Sequence, residues 1–175
     1  MDHEKRQLRL ELRQRTKTCQ ASSQRAIDSL KTYLVERPAL QSIAAFSPLK
    51  GEVDLLPLLD RVDRTWAFPR VKGEEITFYH VTDPNLDLVA GAYGILEPRD
   101  GLRECPVEKI DLFLCPGLGF DLRGGRIGRG MGFYDRELSR ARADAVKLGV
   151  CFGFQLVDEV QMEDHDVRMD GIILG

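Results

Sequence analysis

Residues 111–136, with the sequence DLFLCPGLGFDLRGGRIGRGMGFYDR, join an apolar run, a glycine-rich loop and the start of an amphipathic segment. The run Asp111–Cys115 ends at a proline and a glycine, which is typical of a short buried strand closed by a turn. Beyond the loop, apolar residues recur at helical spacing, so we expect a helix to begin close to Phe133. The residues on that helical face are Tyr134, Leu138, Ala141 and Ala145. A strand followed by a loop and a helix is a unit from which layered α/β folds are built.

Further candidate strands and helices alternate on both sides of this stretch. Helical spacing predicts two N-terminal helices with a break near Ser22, and a third over Val53–Val62 that tolerates Pro57 in its first turn. Residues 85–108 are rich in glycine and proline and predict a long irregular segment. The other predicted strands are Ser42–Phe46, Thr65–Phe68, Ile76–Val81, Leu148–Phe152 and Ile172–Leu174, with a connection over Pro69–Glu74. This order favours one α/β layered domain over residues 1–175, with a mostly parallel central sheet flanked by helices.

Composition limits the classes of function that the chain can have. Its 175 residues are 43% hydrophobic and 30% charged, which is enough for one sizeable core. The net charge of −3 disfavours a uniformly basic nucleic-acid binder, whereas the basic clusters in Lys5–Arg15 and Arg123–Arg142 allow a local anion site. No apolar stretch approaches the ~20 residues that span a bilayer. We therefore expect a cytoplasmic protein with no membrane partner.

The four cysteines indicate reduced thiols. They are widely separated, and no pair has the spacing of a zinc or redox motif. Cys115 and Cys151 lie in apolar runs, where a small buried side chain is expected rather than a nucleophile.

Residues 126–136 carry the strongest chemical signal in the sequence. Three glycines alternate immediately before the predicted helix, where a backbone without Cβ atoms can approach a ligand closely. Free N–H groups at a helix start favour phosphate, and Arg126, Arg129 and Arg136 add charged donors. A glycine-rich turn with exposed arginines is the alternative. The loop lacks the Gly-Lys-Ser/Thr of a P-loop and the glycine spacing of a dinucleotide fingerprint.

Five segments together resemble the 5-formyltetrahydrofolate cyclo-ligase family. The runs 111–121 and 126–136 are similar to the signature of that family, and residues 5–9, 94–98 and 163–170 are similar to three further elements in the same order. The resemblance extends over nearly the whole chain. It implies an enzyme that converts 5-formyltetrahydrofolate to 5,10-methenyltetrahydrofolate, with ATP as co-substrate, Mg²⁺ as cofactor, and release of ADP and phosphate.

Lys5 and Arg9 form a second candidate anion site. On a helix these i, i+4 residues direct two positive charges to one point, which is mildly unfavourable unless an anion lies between them. For this pair alone, a solvated basic helix face is the simpler interpretation. The resemblance implies that Lys5, Arg9 and Arg126 bind ATP phosphates and act in catalysis. The other nucleotide-binding residues that it implies are Gly128, Arg129, Gly130, Met131, Gly132, Phe133 and Tyr134.

The folate contacts implied by the resemblance lie in the loop after the first strand and in the glycine-rich loop. Leu49 and Asp54 are the first group, together with Glu52, although Glu52 or Asp54 could instead cap a helix. The second group is Arg129, Gly130, Met131, Gly132 and Phe133. Asp54 replaces the usual glutamate, and Leu55, Met131 and Phe133 also depart from the family pattern. Tyr93 is either an aromatic wall for the folate or a core residue.

Asp135 and Asp170 match the Mg²⁺ carboxylates of the family. Mg²⁺ commonly takes one or two protein carboxylates together with substrate phosphates and waters. Asp135 could also favour the helix start as a first-turn acid, and Asp170 could open a turn before the last strand. For His165 and Asp166 we expect a structural hydrogen-bonded pair.

The reaction implied by the resemblance needs no protein nucleophile. The formyl oxygen attacks the γ-phosphate of ATP, N10 then attacks the activated carbon, and phosphate leaves. Two other classes of function stay open: a catalytically silent relative that binds nucleotide or folate, and a nucleic-acid binder. The acidic balance and the lack of interleaved aromatic residues disfavour the second. We predict a monomer that acts on small molecules without a nucleic-acid partner.

Overall fold

The computed structural model describes residues 2–18, 20–91 and 94–175. The helices are α1 (Asp2–Thr18), α2 (Gln24–Val35), α3 (Leu56–Leu59), α4 (Pro84–Asp87) and α5 (Phe133–Leu138). The strands are β1 (Ser42–Ala44), β2 (Thr65–Lys72), β3 (Glu75–Val81), β4 (Leu88–Ala90), β5 (Leu96–Pro98), β6 (Leu112–Cys115), β7 (Gly119–Phe120), β8 (Arg126–Ile127), β9 (Val146–Cys151) and β10 (Gly171–Leu174).

Six strands form the central sheet, in the order β10-β9-β6-β1-β2-β3. Every neighbouring pair is parallel except β2 and β3, which form an antiparallel hairpin. Two small antiparallel pairs, β4-β5 and β7-β8, lie outside it. The prediction of an α/β fold with a mostly parallel sheet is confirmed.

The hydrophobic core covers both faces of this sheet. Leu112 and Leu114 belong to one buried cluster, and Phe113 and Cys115 belong to another. Successive side chains of a strand point to opposite faces, so β6 contributes to both clusters in alternation. All four of its residues are buried, as expected for a central strand of a parallel sheet.

The hairpin of β2 and β3 is longer than the sequence predicted. The expected connection over Pro69–Glu74 is wrong, since β2 continues to Lys72 and only two residues separate the strands. Gly73 makes this tight reversal with a positive φ of 64°. Pro69 fits within β2 because β1 pairs only as far as Ala67, which leaves that edge of β2 open.

Two helices are shorter than their apolar patterns suggested. Instead of Val53–Val62, the helix occupies only Leu56–Leu59, and Pro57 lies in its first turn as expected. The last helix begins at Phe133 as predicted but ends at Leu138. Ala145 is buried although it lies beyond the helix, in the turn that leads to β9. Its helical spacing from Leu138 is therefore coincidental.

The N-terminal helices and the irregular segment follow the prediction more closely. Two separate helices are present, since α1 ends at Thr18 and α2 begins at Gln24. The described part of residues 85–108 is largely irregular, apart from α4, the small pair β4-β5 and the start of a 3₁₀ turn (Val107–Lys109), which the sequence did not predict. Among the described residues, no helix is both long and apolar enough to cross a membrane.

Candidate functional site

A cavity of about 470 Å³ opens at the carboxyl ends of the central strands. Phe46 and Ser47, which follow β1, and Pro116 and Gly117, which follow β6, form its floor. Carboxyl ends of parallel strands are where ligands bind in α/β sheets. The volume is within the range of small-molecule sites.

The glycine-rich loop between β8 and α5 forms one wall of the cavity. Gly130 and Gly132 have φ values of 107° and 65°, which few other residues adopt. Arg9 crosses from α1 to this loop, where its Nε donates a hydrogen bond to the Gly128 carbonyl at 3.2 Å. This hydrogen bond joins the loop to α1, and all of residues 126–135 line the cavity.

Arg126 and Asp135 are paired at the base of this wall. The Arg126 side chain is almost completely buried, and its Nη2 donates to Asp135 Oδ2 at 2.8 Å. Asp135 Oδ1 accepts a hydrogen bond from the Val167 amide at 3.2 Å. Arg126 Nε has no partner within the described part of the chain. A buried guanidinium with an unused donor is suited to an anion.

Tyr134 presents a neutral hydroxyl to the same region. Burial, and to a smaller extent Cys115 and Glu52, raise the pKa of this phenol well above its ordinary value, against the lowering effect of Arg126. The Arg126 guanidinium lies 5.6 Å from the centre of the ring. The Tyr134 hydroxyl and Ser47 Oγ are both buried, and neither has a hydrogen-bond partner among the described residues. Both residues line the cavity, and an unpaired buried polar atom is costly unless a ligand satisfies it.

Lys5 reaches the cavity from α1, and its positive charge is paired with carboxylates of the C-terminal segment. Its Nζ lies 2.6 Å from Asp166 Oδ2 and 3.4 Å from Glu163 Oε1. The side chain of Lys5 is 8% exposed. The structure thus brings Lys5, Arg9 and Arg126, which the sequence analysis grouped together, into the lining of one cavity.

The loop after β1 contributes Glu52 rather than Asp54. Leu49 and Glu52 line the cavity. Glu52 pairs with Arg129 at 3.0 Å across the opening and accepts the Leu49 amide at 2.9 Å. Asp54 is not among the lining residues, and its Oδ1 accepts the amide of Leu56, the first residue of α3, at 3.0 Å. The capping interpretation thus describes Asp54, whereas Glu52 takes the position expected of a ligand contact.

Apolar side chains line the opposite end of the cavity. Val71 and Leu96 are 45% and 37% exposed, and Met131 on the glycine-rich loop is 59% exposed. The other apolar residues on this side are Pro69, Ile76, Ile95 and Phe133. The β2-β3 hairpin supplies three of them, and the sequence prediction missed this contribution because it treated residues 69–74 as a connection. Tyr93 lies outside the described residues.

Of the two predicted metal ligands, only Asp135 lines the cavity. Asp170 is exposed, and its Oδ2 accepts the Lys147 amide at 2.7 Å where β10 begins beside β9. Within residues 2–18, 20–91 and 94–175, no three His, Cys, Asp or Glu side chains are grouped as a metal site. Asp135 alone fits a Mg²⁺ ion whose other ligands are phosphates and waters.

The buried cysteines near the site are not nucleophiles. Cys115 immediately precedes Pro116, but burial raises the pKa of its thiol to about 12. Burial also raises the pKa of Cys151 to about 12. Since the thiolate is the reactive form, neither side chain is suited to covalent chemistry at neutral pH. Cys19 lies outside the described residues.

Comparison with known proteins agrees with this geometry. The 5-formyltetrahydrofolate cyclo-ligase of Mycolicibacterium smegmatis is 42% identical over 89 residues, which cover 49% of this chain and 45% of that protein. The 5-formyltetrahydrofolate cyclo-ligase of Mycoplasma genitalium is 28% identical over 151 residues, covering 86% and 82%. The NMR structure of Aquifex aeolicus 5,10-methenyltetrahydrofolate synthetase superposes with a TM-score of 0.80 at 32% identity, covering 97% of this chain and 89% of that one.

The family model for these enzymes matches residues 1–175. Because the match spans the whole chain and the fold agrees with that of a solved relative, the chain belongs to the 5-formyltetrahydrofolate cyclo-ligase family.

Proposed function

We propose that this protein converts 5-formyltetrahydrofolate to 5,10-methenyltetrahydrofolate, using ATP and releasing ADP and phosphate. The observation that carries the proposal is one continuous cavity with two chemically different ends. Lys5, Arg9 and Arg126 supply the N–H donors of the first end, here called the cationic end, which the carboxylates of Asp135, Glu163 and Asp166 also line. The second end is apolar and adjoins the carboxylate of Glu52. A phosphate donor and an aromatic heterocycle could therefore lie side by side.

The cationic end is suited to the triphosphate of ATP. Arg126 has an unpaired Nε, and Arg9 has its two terminal guanidinium nitrogens available after it bonds to Gly128. The loop from Gly128 to Tyr134 leads into α5 and supplies backbone N–H groups. Backbone amides with arginine side chains are a common phosphate-binding arrangement. ATP is accordingly assigned to this end.

Mg²⁺ would be held by Asp135 together with the phosphates of ATP. Asp135 lies at the cavity wall and already accepts hydrogen bonds from Arg126 and the Val167 amide, which fix its orientation. When bound, the ion would neutralise charge on the transferring phosphate. Asp170 stays a proposed second ligand on the family resemblance alone, since its exposed carboxylate accepts the Lys147 amide and does not line the cavity.

The folate would occupy the apolar end. Glu52 can accept hydrogen bonds from amino and ring N–H groups of a pterin, as a nearly buried carboxylate held by Arg129. Met131, Val71 and Leu96 offer exposed apolar surface to the aromatic part of the molecule. Leu49 and Asp54 were predicted as contacts; Leu49 lines this end of the cavity, and Asp54 lies behind it.

The proposed reaction proceeds by phosphoryl transfer followed by ring closure. The formyl oxygen attacks the γ-phosphorus and the bond to ADP breaks, which gives a phosphorylated iminium carbon. N10 then attacks that carbon, its proton is lost to solvent, and the C–O bond breaks as phosphate leaves. Positioning and charge stabilisation dominate such transfers. Lys5, Arg9 and Arg126 hold the phosphates in line, while the neutral Tyr134 hydroxyl can donate a hydrogen bond without adding negative charge.

The proposal is tested by absorbance of methenyltetrahydrofolate with ATP, Mg²⁺ and 5-formyltetrahydrofolate. We expect Arg126→Ala and Asp135→Ala to lower kcat/KM at least 100-fold, because each removes a charge at the transferring group and leaves its buried partner unpaired. Arg13→Ala, an exposed position of α1, is the control and should retain activity. Near-normal rates in both site variants would contradict the assignment. Folate binding without turnover by the unsubstituted protein would indicate a silent relative.

We also infer that the protein works as a monomer on small molecules, without nucleic-acid or membrane partners, in the cytoplasm. The cationic side chains of the site converge into a cavity rather than over an open face. Cys105, Cys115 and Cys151 are buried free thiols, which fits a reducing compartment. Sedimentation of the purified protein, with and without RNA, tests the first two points.

A further inference from the structure

The contact between Lys5 and Asp166 joins the two ends of the chain at the cavity. Lys5 Nζ and Asp166 Oδ2 are 2.6 Å apart, and the two side chains are 8% and 11% exposed. Both residues line the cavity. The pair therefore lies in the cavity wall and largely out of solvent, unlike an ion pair on the protein surface, which would have little effect.

The Asp166 carboxylate is held in place by its own segment. Its Oδ2 also accepts the Glu163 amide at 2.8 Å, and the Asp166 amide donates to the Glu163 carbonyl at 3.0 Å. Glu163 adds a second carboxylate 3.4 Å from Lys5 Nζ. Asp166 is thus a rigid acceptor, against which the long lysine side chain is oriented.

Helix α1 has few other anchors that could fix Lys5. Among its described side chains, only Lys5 and Leu12 are buried. Leu12 packs in a small cluster with Leu118, Ile127 and Val160. Leu8, about one turn from Lys5, packs against the same cluster, and Arg9 bonds to the Gly128 carbonyl. These contacts dock the helix, whereas the Lys5 ammonium group itself is oriented by Asp166 and Glu163.

Lys5 keeps capacity for a ligand while it is paired. An ammonium group has three N–H donors. Asp166 takes one at 2.6 Å and Glu163 takes at most one more at 3.4 Å, so at least one remains for a phosphate oxygen. The pair can therefore orient Lys5 without removing it from the phosphates.

We infer that Asp166 is a positioning residue that fixes the Lys5 ammonium group at the phosphate end of the cavity. This inference rests on the proposed function, because it assigns ATP to that end. Without the carboxylate, α1 stays docked through Leu12, but the ammonium group loses its orientation and ATP binds more weakly. The folate end contains neither residue, so folate affinity is unaffected.

The test compares steady-state kinetics of Asp166→Asn, Lys5→Met, the double variant and Asp164→Asn. Asn keeps an oxygen for the Glu163 amide and removes only the charge. Asp164 is the exposed neighbour outside the cavity lining and serves as the matched control. We expect Asp166→Asn to raise the KM for ATP about tenfold and to change the KM for folate less than twofold. Asp164→Asn should change neither value.

The double variant separates a positioning role from a general structural one. If Asp166 acts through Lys5, adding Asp166→Asn to Lys5→Met should raise the KM for ATP by less than twofold more. Asp166→Glu keeps the negative charge. Its KM for ATP should rise by no more than half as much, on a logarithmic scale, as that of Asp166→Asn. Additive effects in the double variant, or an unchanged KM for ATP in Asp166→Asn, would overturn the inference.

A replacement variant and a binding measurement keep the inference testable if a variant does not fold or the protein shows no turnover. Should Asp166→Asn not fold, Asp166→Ser replaces it, since a serine hydroxyl can accept the Glu163 amide without carrying charge. Should the unsubstituted protein show no turnover, the proposed reaction is wrong. Calorimetric titration with Mg·ADP then gives the affinities of the same variants, with the same tenfold and twofold thresholds.

Discussion

At the scale of single residues, the partners of a side chain separate two otherwise similar acids near the site. Glu52 and Asp54 are two acids in one loop, and the sequence gives both a capping role and a ligand role. In the fold, Asp54 caps α3 whereas Glu52 pairs with Arg129 at the cavity. Residue types alone do not tell which of the two acids faces the cavity. That depends on the course of the loop, in which Gly51 turns the chain with a φ of 83°.

Substitution of these two acids should separate binding from stability. Glu52→Gln is expected to raise the KM for 5-formyltetrahydrofolate about tenfold, because an amide pairs poorly with both Arg129 and pterin N–H groups. Asp54→Ala should instead cost about 1 kcal/mol of unfolding free energy through loss of the cap. Its KM should stay within twofold of the normal value. Kinetics and urea denaturation of both variants check this, and the reverse pattern would restore Asp54 as the substrate contact.

At the scale of elements, the sequence predicts best where local chemistry and tertiary packing agree. The strand before Pro116 and the helix starting at Phe133 were predicted correctly, since an apolar run and a helix-start signal both act locally. The ends of α3 and α5 were not, because the apolar spacing that suggests a longer helix also arises where a turn is buried. The pairing of Lys5 with Asp166 spans 161 positions, and no local pattern contains it.

The glycine-rich loop offers an element-scale prediction. Gly130 has a φ of 107°, a conformation strained for any residue with a Cβ, and its added Cβ would lie 3.9 Å from the Arg9 guanidinium. Gly130→Ala should therefore shift the loop and lower kcat/KM by about 10- to 100-fold, at a cost in stability of about 1–2 kcal/mol. Gly73→Ala is the matched control, because it carries similar strain at a φ of 64° in the β2-β3 turn with no atoms nearby. Equal losses of activity in both variants would contradict a specific role for the loop.

At the scale of the whole molecule, one cavity is assembled from parts that are far apart in sequence. Helix α1, the loop after β1, the β2-β3 hairpin, the glycine-rich loop and the C-terminal residues Glu163, His165 and Asp166 all line it. The sheet order places β6 beside β1 and β9, so that the loops after these strands meet at one edge. The sequence motifs named Lys5, Arg9 and Arg126, and all three line the cavity. The apolar lining from the β2-β3 hairpin was not predicted, because it depends on how the hairpin packs in the fold.

Several buried carboxylates link this assembly to pH. Burial alone would raise the pKa of Asp111, Asp121 and Asp166, but hydrogen bonds from backbone amides and from cationic side chains outweigh it. Each of these pKa values is therefore lower in the folded protein than in the unfolded chain. In acid, the unfolded chain therefore binds more protons than the folded protein does. The free energy of unfolding decreases as the pH is lowered.

Asp121 allows the acid sensitivity to be tested at one position. Its carboxylate accepts the amides of Arg123, Gly125 and Val160 at 2.7–2.8 Å, and so ties the β7-β8 hairpin to the segment beyond β9. The resulting stability is fully present above the ordinary carboxyl pKa of about 4 and is lost as pH falls through the lower folded value. Asp121→Asn cannot satisfy all three amides and should cost about 2 kcal/mol at pH 7. Because the variant lacks the titrating group, urea denaturation should show this difference shrinking between pH 5 and pH 3; a constant difference would place the acid sensitivity elsewhere.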